Sequence, residues 1–308
     1  MNYHFPRCQV TPLPDDQVLF QIDGVERLRW HFGAAYPRPF FFPLAGPSGA
    51  ALTRMGHPGA PNHDHHRSIW FAHAKVLGID FWSDRTTARI RQKQWLCYQD
   101  GDDEAAMAVL LGWYDGHDPQ ELLEQELIAA VRPGEAGETF VELQATFRPR
   151  AESLEFGQTN FGFLAVRVAK SLSAYFGGGQ IVNSEGVQGE GAIFARAARW
   201  MDYSGPVPGE RKEGIAYFDH PENSGYPVSW HVREDGWMGA APCLHRAVST
   251  SREQPLMLRY LLLAHSGAPL GAERGEKIAA KFAETPPWEI SKADVKHVEH
   301  AIQRRKRL

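Results

Sequence analysis

The chain has 308 residues, with 37 acidic and 33 basic side chains, so its formal net charge is −4. This balance excludes a general polyanion-binding protein, and no run approaches the roughly 18 uninterrupted apolar residues of a membrane helix. The first ten residues lack the basic and then apolar regions of a secretory signal. We therefore predict a cytoplasmic protein with no nucleic-acid or membrane partner. The three cysteines are too few and too far apart for a disulfide framework.

Short segments of alternating character predict strands through most of the chain. Glycine and proline, with 29 and 21 copies, divide the sequence into segments of the length that strands prefer. In chain order, the predicted strands are 18–23, 28–32, 68–74, 88–98, 105–113, 140–148, 164–168, 192–201, 215–219, 228–232 and 255–265. The clearest is 140–148, where apolar and polar residues alternate with a period of two.

Two segments carry helix signals. Residues 121–131 follow Asp118-Pro119, an N-cap residue with proline at the first helical position, but both flanking regions favour strands, so we predict a strand here. Residues 271–284 have helical spacing of apolar residues and end before two consecutive prolines, which predicts a C-terminal helix. Residues 285–308 are then a peripheral tail with a solvated basic end.

These elements predict an all-β protein, built as a large antiparallel β-sandwich with a short C-terminal helix. About a dozen strands with short turns and no alternating helices favour two packed antiparallel sheets over a parallel α/β fold. No shift in composition and no internal repeat divides the chain, so residues 1–308 are predicted to form a single domain.

The densest polar segment is Asn62-His63-Asp64-His65-His66-Arg67. Imidazole titrates nearest neutral pH and is the commonest metal ligand, so these histidines are candidate acid or base groups, or candidate ligands. On a strand, His63 and His65 would share one face while His66 points the other way. His73, His220 or His231 would complete a metal site with that pair, but no glutamate follows the pair as it does in double-sheet metal-binding cupins. No cofactor is therefore expected, and a divalent metal is kept as an alternative.

A second polar constellation lies later in the chain and includes Arg199, His220, Asn223 and the pair Trp230-His231. Aromatic rings stack on the apolar side of sugar rings, while Arg, Asn and His bond hydroxyl groups, so this composition favours a carbohydrate ligand. Glycosidases need two carboxyl groups at a fixed separation. The sequence does not choose among the candidates, which are Asp64, Asp80, Glu126, Glu185, Asp202 and Glu222.

Eight segments carry a distinctive succession of aromatic residues, Arg and His: 38–44, 53–54, 64–73, 80–82, 161–167, 198–205, 219–223 and 230–233. In this order they resemble the bacterial family called DUF6807 or PmoA-like. That family usually reads Asp-His-Pro-His-His-Arg-Gly-Leu-Trp, whereas here Asn62 stands at the aspartate, Asp64 at the proline and Ser68 at the glycine.

The resemblance implies a role in carbohydrate breakdown and a large β-sandwich like that of aldose mutarotases, which use a histidine acid and a glutamate base. The label PmoA refers to a subunit of a membrane-bound methane oxygenase. This chain shows no membrane span, so methane oxidation is not expected.

We predict an enzyme that acts on a glycoside or a modified sugar, such as a keto sugar, by hydrolysis, elimination or epimerisation. The predicted catalytic residues are His65, His66, His220, His231 and Glu185. The predicted substrate-binding residues are Arg67, Trp70, His73, Trp82, Arg167, Arg199, Asn223 and Trp230. Two alternatives stay open: a non-catalytic carbohydrate-binding or assembly protein, and a metal enzyme that uses His63, His65 and His231.

Overall fold

A computed structural model describes residues 4–267 and 269–306. Residues 1–3, 268 and 307–308, which belong to the predicted domain and include the last residues of the predicted tail, lie outside the described residues. The strands are β1 Cys8–Leu13, β2 Gln17–Ile22, β3 Val25–His31, β4 Phe40–Leu44, β5 Ile69–His73, β6 Arg89–Gln99, β7 Ala105–Tyr114, β8 Leu123–Pro133, β9 Thr139–Pro149, β10 Ser153–Phe156, β11 Gly162–Arg167, β12 Gln180–Asn183, β13 Trp200–Val207, β14 Arg211–Asp219, β15 Trp230–Arg233, β16 Trp237–Ala240, β17 Val248–Ser251, β18 Leu256–Ser266, β19 Trp288–Lys292 and β20 His300–Arg304. The helices are α1 Ala174–Gly177, α2 Glu190–Ile193 and α3 Ala272–Glu284, with 3₁₀ turns at Pro61–His63, Glu135–Gly137 and Lys170–Leu172.

Two large sheets form the body of the described fold. The first has the strand order β1-β2-β3-β4-β5-β11-β16-β15, and the second has the order β12-β13-β14-β18-β9-β8-β7-β6. Neighbouring strands pair antiparallel in both sheets. Phe71 of the first sheet meets Phe147 and Tyr260 of the second, with ring centroids 6.4 and 6.3 Å apart, so the main core lies between the sheets. The predicted all-β antiparallel sandwich is confirmed.

Several local predictions can be checked against these elements. The strand at 121–131 is confirmed as β8 and the helix at 271–284 as α3. The strand at 192–201 is wrong over most of its length, because α2 ends at Ile193 and Ala195 then takes a left-handed conformation with φ +61° that interrupts an extended chain. Within the described residues, no helix is long and apolar enough to cross a membrane.

The predicted tail is more ordered than the sequence indicates. Strands β19 and β20 form a hairpin whose Trp288 and Ile302 pack on the outer face of the second sheet. Arg304 donates to both carboxylate oxygens of Glu142, at 2.7 and 2.6 Å, and its guanidinium lies 3.4 Å from the centre of the Trp288 ring. The prediction of a solvated basic end is therefore wrong at Arg304, because a buried carboxylate and an aromatic ring hold this side chain.

Both faces of the middle of the first sheet are covered. In β5, Ile69 and Phe71 point into the main core, while Trp70 and Ala72 point to the opposite, outer face. On that outer face a small apolar cluster contains Phe40, Trp70, Ala72, Trp82, Ala165 and Trp237. This cluster supports the site described next.

Candidate functional site

A cavity of about 900 Å³ lies on the outer face of the first sheet. Its walls come from the segments 62–66 and 80–85 and from side chains of β11, β15 and the turn before β16. Because residues alternate between faces along a strand, β15 sends Trp230 and Val232 into the core and His231 and Arg233 to the cavity.

A ring and a glycine shape the floor of the cavity. Trp237 of β16 lies opposite Arg167 of β11 in the strand register and contacts His231 of β15. Two residues further along β16, Gly239 pairs with His231 and offers no side chain. A Cβ atom at Gly239 would lie 3.3 Å from the Trp237 ring, so glycine leaves room for this indole beneath the cavity.

Three histidines meet at one wall of the cavity. The ring centroids of His63 and His65 are 5.5 Å apart, those of His63 and His66 are 5.0 Å apart, and those of His65 and His66 are 4.3 Å apart. The expectation that His66 points away from the other two is wrong. The segment is a 3₁₀ turn followed by a tight turn rather than a strand, so the alternation of faces does not apply.

His66 packs against two indole rings that also contact each other. Its centroid lies 5.7 Å from Trp70 and 5.4 Å from Trp237, and its plane is within about 25° of both ring planes. The side chain is 8% exposed, and its Nδ1 has no hydrogen-bond partner among the described residues. Burial, followed by the charges of His65 and Arg167, lowers the pKa of His66 far below the ordinary value. This imidazole is therefore neutral at pH 7.

His231 approaches the same indole from β15, with its ring centroid 5.3 Å from that of Trp237. Its Nδ1 lies 2.9 Å from the carbonyl oxygen of Asn160. Because a carbonyl only accepts, Nδ1 carries the proton and Nε2 of the neutral ring keeps a free lone pair. Burial lowers the pKa of His231 to about 4, while the Asn160 hydrogen bond opposes this shift. Burial and the charge of Arg38 likewise lower the pKa of His65 to about 4.

Two arginine–aspartate groups flank these histidines. Arg38 donates to Asp84 at 3.0 Å, and Arg67 holds the same carboxylate through two donors. Burial favours a raised pKa at Asp84, but the Arg67 hydrogen bonds and the Arg38 charge outweigh it and lower the pKa. Asp84 therefore stays ionised at one side of the cavity.

On the other side, Asp235 accepts from Arg167 Nη1 at 2.7 Å and from His57 Nε2 at 2.9 Å. His57 donates here because its Nδ1 accepts from the backbone N–H of Gly59 at 3.0 Å. Burial again opposes ionisation of Asp235, and the hydrogen bond and charge of Arg167 prevail and lower its pKa. The two flanking carboxylates are thus both anionic at neutral pH.

Arg167 is the most deeply buried charged group at the cavity, with a side chain 0% exposed. Only its Nη1 has a partner, and Nε and Nη2 have none among the described residues. The indole N–H groups of Trp82 and Trp237, which line the cavity, are also buried without an acceptor among the described residues. The floor of the cavity is therefore rich in hydrogen-bond donors that the described protein does not use.

Several predicted site residues lie elsewhere. His220 and Asn223 belong to a buried cluster beneath α3, where His220 Nε2 lies 3.1 Å from the Phe282 carbonyl and Asn223 donates to Asp219 at 2.6 Å. Glu185 and Arg199 form an ion pair on the surface, with an N···O distance of 3.2 Å. None of these four lines the cavity.

Three other predicted substrate-binding residues, His73, Trp230 and Trp70, are too deeply buried to contact a ligand in the cavity. His73 packs against Phe163 in the main core, because it points to the same face of β5 as Ile69 and Phe71. Trp230 is 0% exposed and donates its indole N–H to the Ala198 carbonyl, so it offers no face to a sugar. Trp70 lies beneath the cavity and is 1% exposed. The exposed aromatic ring at the cavity is instead Phe161, which is 37% exposed.

The predicted metal ligands do not converge in this arrangement. The rings of His63 and His65 are stacked within 25° of parallel. In the part of the chain that the structure describes, no group of three or more His, Cys, Asp or Glu side chains is placed to hold a metal ion.

Sequence reasoning missed several cavity residues. Asp84, Asp235 and Trp237 lie in short turns or at the start of a four-residue strand, where no periodic pattern draws attention to them. Arg38 belongs to a segment that the sequence analysis names, but the sequence does not assign it to a site. In the structure its guanidinium is buried and donates to the carbonyl groups of Phe81 and Ser83.

Comparisons with known proteins give the family but no activity. The sequence matches no curated protein. Among solved structures, it is similar to a Salmonella typhimurium protein described as a "putative mutarotase (YeaD)", at 13% identity, with 86% of this chain and 96% of that chain covered and a TM-score of 0.33. Residues 17–280 match the family of unknown function DUF6807, whose description carries no reference to methane oxidation. This match spans most of the chain, and the protein therefore belongs to the DUF6807 family.

Proposed function

We propose that this protein is an enzyme that acts on a sugar and transfers a proton at one of its carbon atoms, as in epimerisation or elimination. The observation that carries the proposal is the pairing of two neutral imidazoles, His66 and His231, against one indole ring in one cavity. A neutral imidazole accepts a proton through its free nitrogen, and the imidazolium that forms returns it.

The two imidazoles have different environments, which suits different tasks. His231 has a fixed tautomer, because the Asn160 carbonyl holds the proton on Nδ1 and leaves Nε2 free to accept. His66 meets His65 edge to face, with ring centroids 4.3 Å apart, so a proton taken at one of these rings has a neighbouring imidazole within reach. We assign His231 as the base that removes the proton from the sugar and His66, with His65, as the group that returns a proton to it.

Hydrolysis by a pair of carboxyl groups is less well supported. That reaction needs one carboxyl group with a raised pKa to protonate the leaving oxygen. Asp84 and Asp235 both have lowered pKa values, because arginine side chains bond them directly. The histidines, rather than these carboxylates, are therefore the better candidates for proton transfer.

A non-catalytic sugar-binding protein is the competing function. Binding by stacking needs exposed ring faces, and at this cavity Trp70 and Trp237 are 1% and 3% exposed. Among the Trp and Phe side chains that line the described cavity, Phe161 alone offers the exposed face that the binding hypothesis requires. The buried polar floor supports catalysis better than it supports a stacking platform.

Exchange of sugar C–H groups in D₂O tests the proposal. The protein is incubated with glucose, galactose, glucuronate, galacturonate and their methyl glycosides, and loss of C–H signals is followed by proton NMR. We expect loss from at least one sugar, and a decrease of about 10²–10⁴-fold in His66→Gln and His231→Gln. His220→Gln is the control, since His220 lies outside the cavity. Binding without exchange in any of these sugars would favour the non-catalytic alternative.

A further inference from the structure

We infer that the sugar is an acid whose carboxylate binds the unused edge of Arg167. This inference rests on the proposed function and names its substrate class. Asp235 takes only Nη1 of Arg167, and the side chain is 0% exposed. Nε and Nη2, which form one side of the planar guanidinium, have no partner among the described residues.

The same edge binds carboxylates elsewhere in this chain. Arg29 holds Glu26 through Nε at 2.9 Å and Nη2 at 2.7 Å, and Arg7 holds Asp23 through the same two nitrogens at 2.8 Å each. Two parallel N–H donors match the two oxygens of a carboxylate. The edge that Arg167 keeps unpaired is therefore the edge that this fork uses for bidentate recognition.

The surrounding donors favour an acceptor-only group. Indole and guanidinium groups donate and do not accept, and Trp82 and Trp237 of the cavity lining have buried N–H groups without an acceptor in the described structure. A buried unsatisfied donor costs about 1–3 kcal/mol. A carboxylate accepts at both oxygens, whereas a sugar hydroxyl must also donate its own hydrogen. The donor-rich floor thus matches an anion better than a neutral sugar.

The two carboxylates that flank the histidines leave this edge of Arg167 free. Asp235 and Asp84 are each already bonded to arginine, so they do not occupy the free edge of Arg167. A ligand carboxylate on that edge would place a negative charge near His66 and favour its protonated form, which the unliganded cavity disfavours. The anion would therefore favour the imidazolium form of His66, which can return a proton to the substrate.

A carboxylate also supplies the chemistry that the proposed proton transfer needs. The base removes the hydrogen on the carbon next to the carboxylate, and the electron pair of that C–H bond moves into the carboxylate, which Arg167 stabilises. Reprotonation of the carbon from its other face by the imidazolium form of His66 gives the epimer, and the proton now held by His231 returns to solvent. Alternatively, the electron pair forms a C=C bond with the next carbon, and the C–O bond on that carbon breaks. The leaving oxygen then takes a proton from the imidazolium or from water.

Binding to the wild-type protein tests the carboxylate directly. Titrations followed by tryptophan fluorescence and calorimetry would compare glucuronate and galacturonate with their neutral methyl esters and with glucose. We expect at least one of the two acids to bind at least tenfold more tightly than its methyl ester. Equal binding of acid and ester, together with C–H exchange of a neutral sugar, would overturn the carboxylate assignment and leave the proposed function intact. Neither binding nor exchange with any of these sugars would overturn both.

Variants then locate the carboxylate. Arg167→Lys keeps the charge but loses the two-nitrogen edge, and we expect it to lose at least tenfold in affinity for the acid. Arg199→Lys is the matched control, because Arg199 lies on the surface outside the cavity. Unchanged acid affinity in Arg167→Lys would contradict the assignment. If Arg167→Lys does not fold, the comparison of acid with ester in the wild-type protein still decides.

Discussion

Two buried polar clusters, one beside the cavity and one beneath α3, contain the same kinds of side chain. The cavity cluster comprises His65, His66, Arg167, His231 and Asp235, and the α3 cluster comprises Glu142, Asp219, His220, Asn223 and Arg259. Both combine histidine with arginine and a carboxylate, and the sequence marks parts of both as candidate sites. Residue type therefore does not separate a site from a structural network.

The hydrogen bonds separate them. In the α3 cluster, Arg259 lies within bonding distance of Glu142, His220 and the carbonyl groups of Thr285 and Pro286, and only its Nε lacks a partner among the described residues. In the cavity cluster, Arg167 leaves a whole edge unused and His66 leaves Nδ1 unused beside an open volume. Unused polar atoms next to a cavity distinguish the candidate site, because structural networks bond most of their own groups.

The largest expected difference between the clusters is in activity. His66→Gln is expected to lower the rate of C–H exchange about 10²–10⁴-fold, since it removes a proton-transferring ring. His220→Gln is expected to keep that rate and to lower the free energy of unfolding by about 1–3 kcal/mol, because the contacts at the Phe282 carbonyl are disturbed.

Exchange rates by NMR and urea unfolding, measured on both variants, check this difference. A loss of exchange in His220→Gln that equals the loss in His66→Gln, with both proteins folded, would remove the distinction between the two clusters.

The next largest effect is on stability in the α3 cluster. Arg259 and Glu142 are 0% and 3% exposed, so Arg259→Met would leave a buried carboxylate with Arg304 as its remaining bonded partner. We expect a loss of about 3 kcal/mol in the free energy of unfolding, measured with urea. Arg148→Met is the control, because Arg148 is 43% exposed and 3.6 Å from Glu126, where an ion pair contributes about 0–1 kcal/mol. Equal losses in both variants would contradict the structural role of Arg259.

The comparison also shows how far the sequence predicts this molecule. Period-two patterns such as 140–148 predict strands well, because each strand buries one face and the alternation is local. The candidate histidines His65, His66 and His231 reach one cavity, but the partners that define their chemistry, Asp235 and Trp237, come from a turn and a four-residue strand. Hydrogen-bond saturation depends on contacts between distant segments, so no local pattern distinguishes His220 from His66.

A smaller effect is expected from pH. The folded pKa of His231 is about 4, below its ordinary value of 6.5, so the unfolded chain binds more protons between those two values. The contribution of His231 to stability therefore falls as pH decreases from 6.5 towards 4, and the loss is complete below pH 4. His265 acts in the opposite direction, because its hydrogen bond to Asp202 overcomes burial and raises its pKa.

A difference measurement isolates His231. We expect the stability of the wild-type protein relative to His231→Gln to decrease as the pH falls from 6.5 to 4. The NMR signal of the His231 ring, identified by its absence in the variant, is expected to titrate near pH 4. Titration of that signal near pH 6.5 would show that the ring is not buried as described.

The smallest expected effect concerns Ser68, which stands where the family pattern has glycine. Ser68 is fully buried and has φ +58°, in the left-handed region where a non-glycine residue costs about 1–2 kcal/mol. Its backbone connects Arg54 with Arg167, since its N–H donates to the Arg54 carbonyl and its carbonyl accepts from the Arg167 N–H at 2.7 Å.

Ser68→Gly would relieve the strain and keep both bonds, while the greater freedom of glycine in the unfolded chain offsets part of the gain. We therefore expect the free energy of unfolding to rise by up to about 1 kcal/mol, measured by urea unfolding, with sugar binding unchanged. Ser68→Ala keeps the strain and serves as the control, so a rise of equal size in Ser68→Ala would assign the effect to loss of the buried hydroxyl, which has no partner among the described residues, rather than to the backbone.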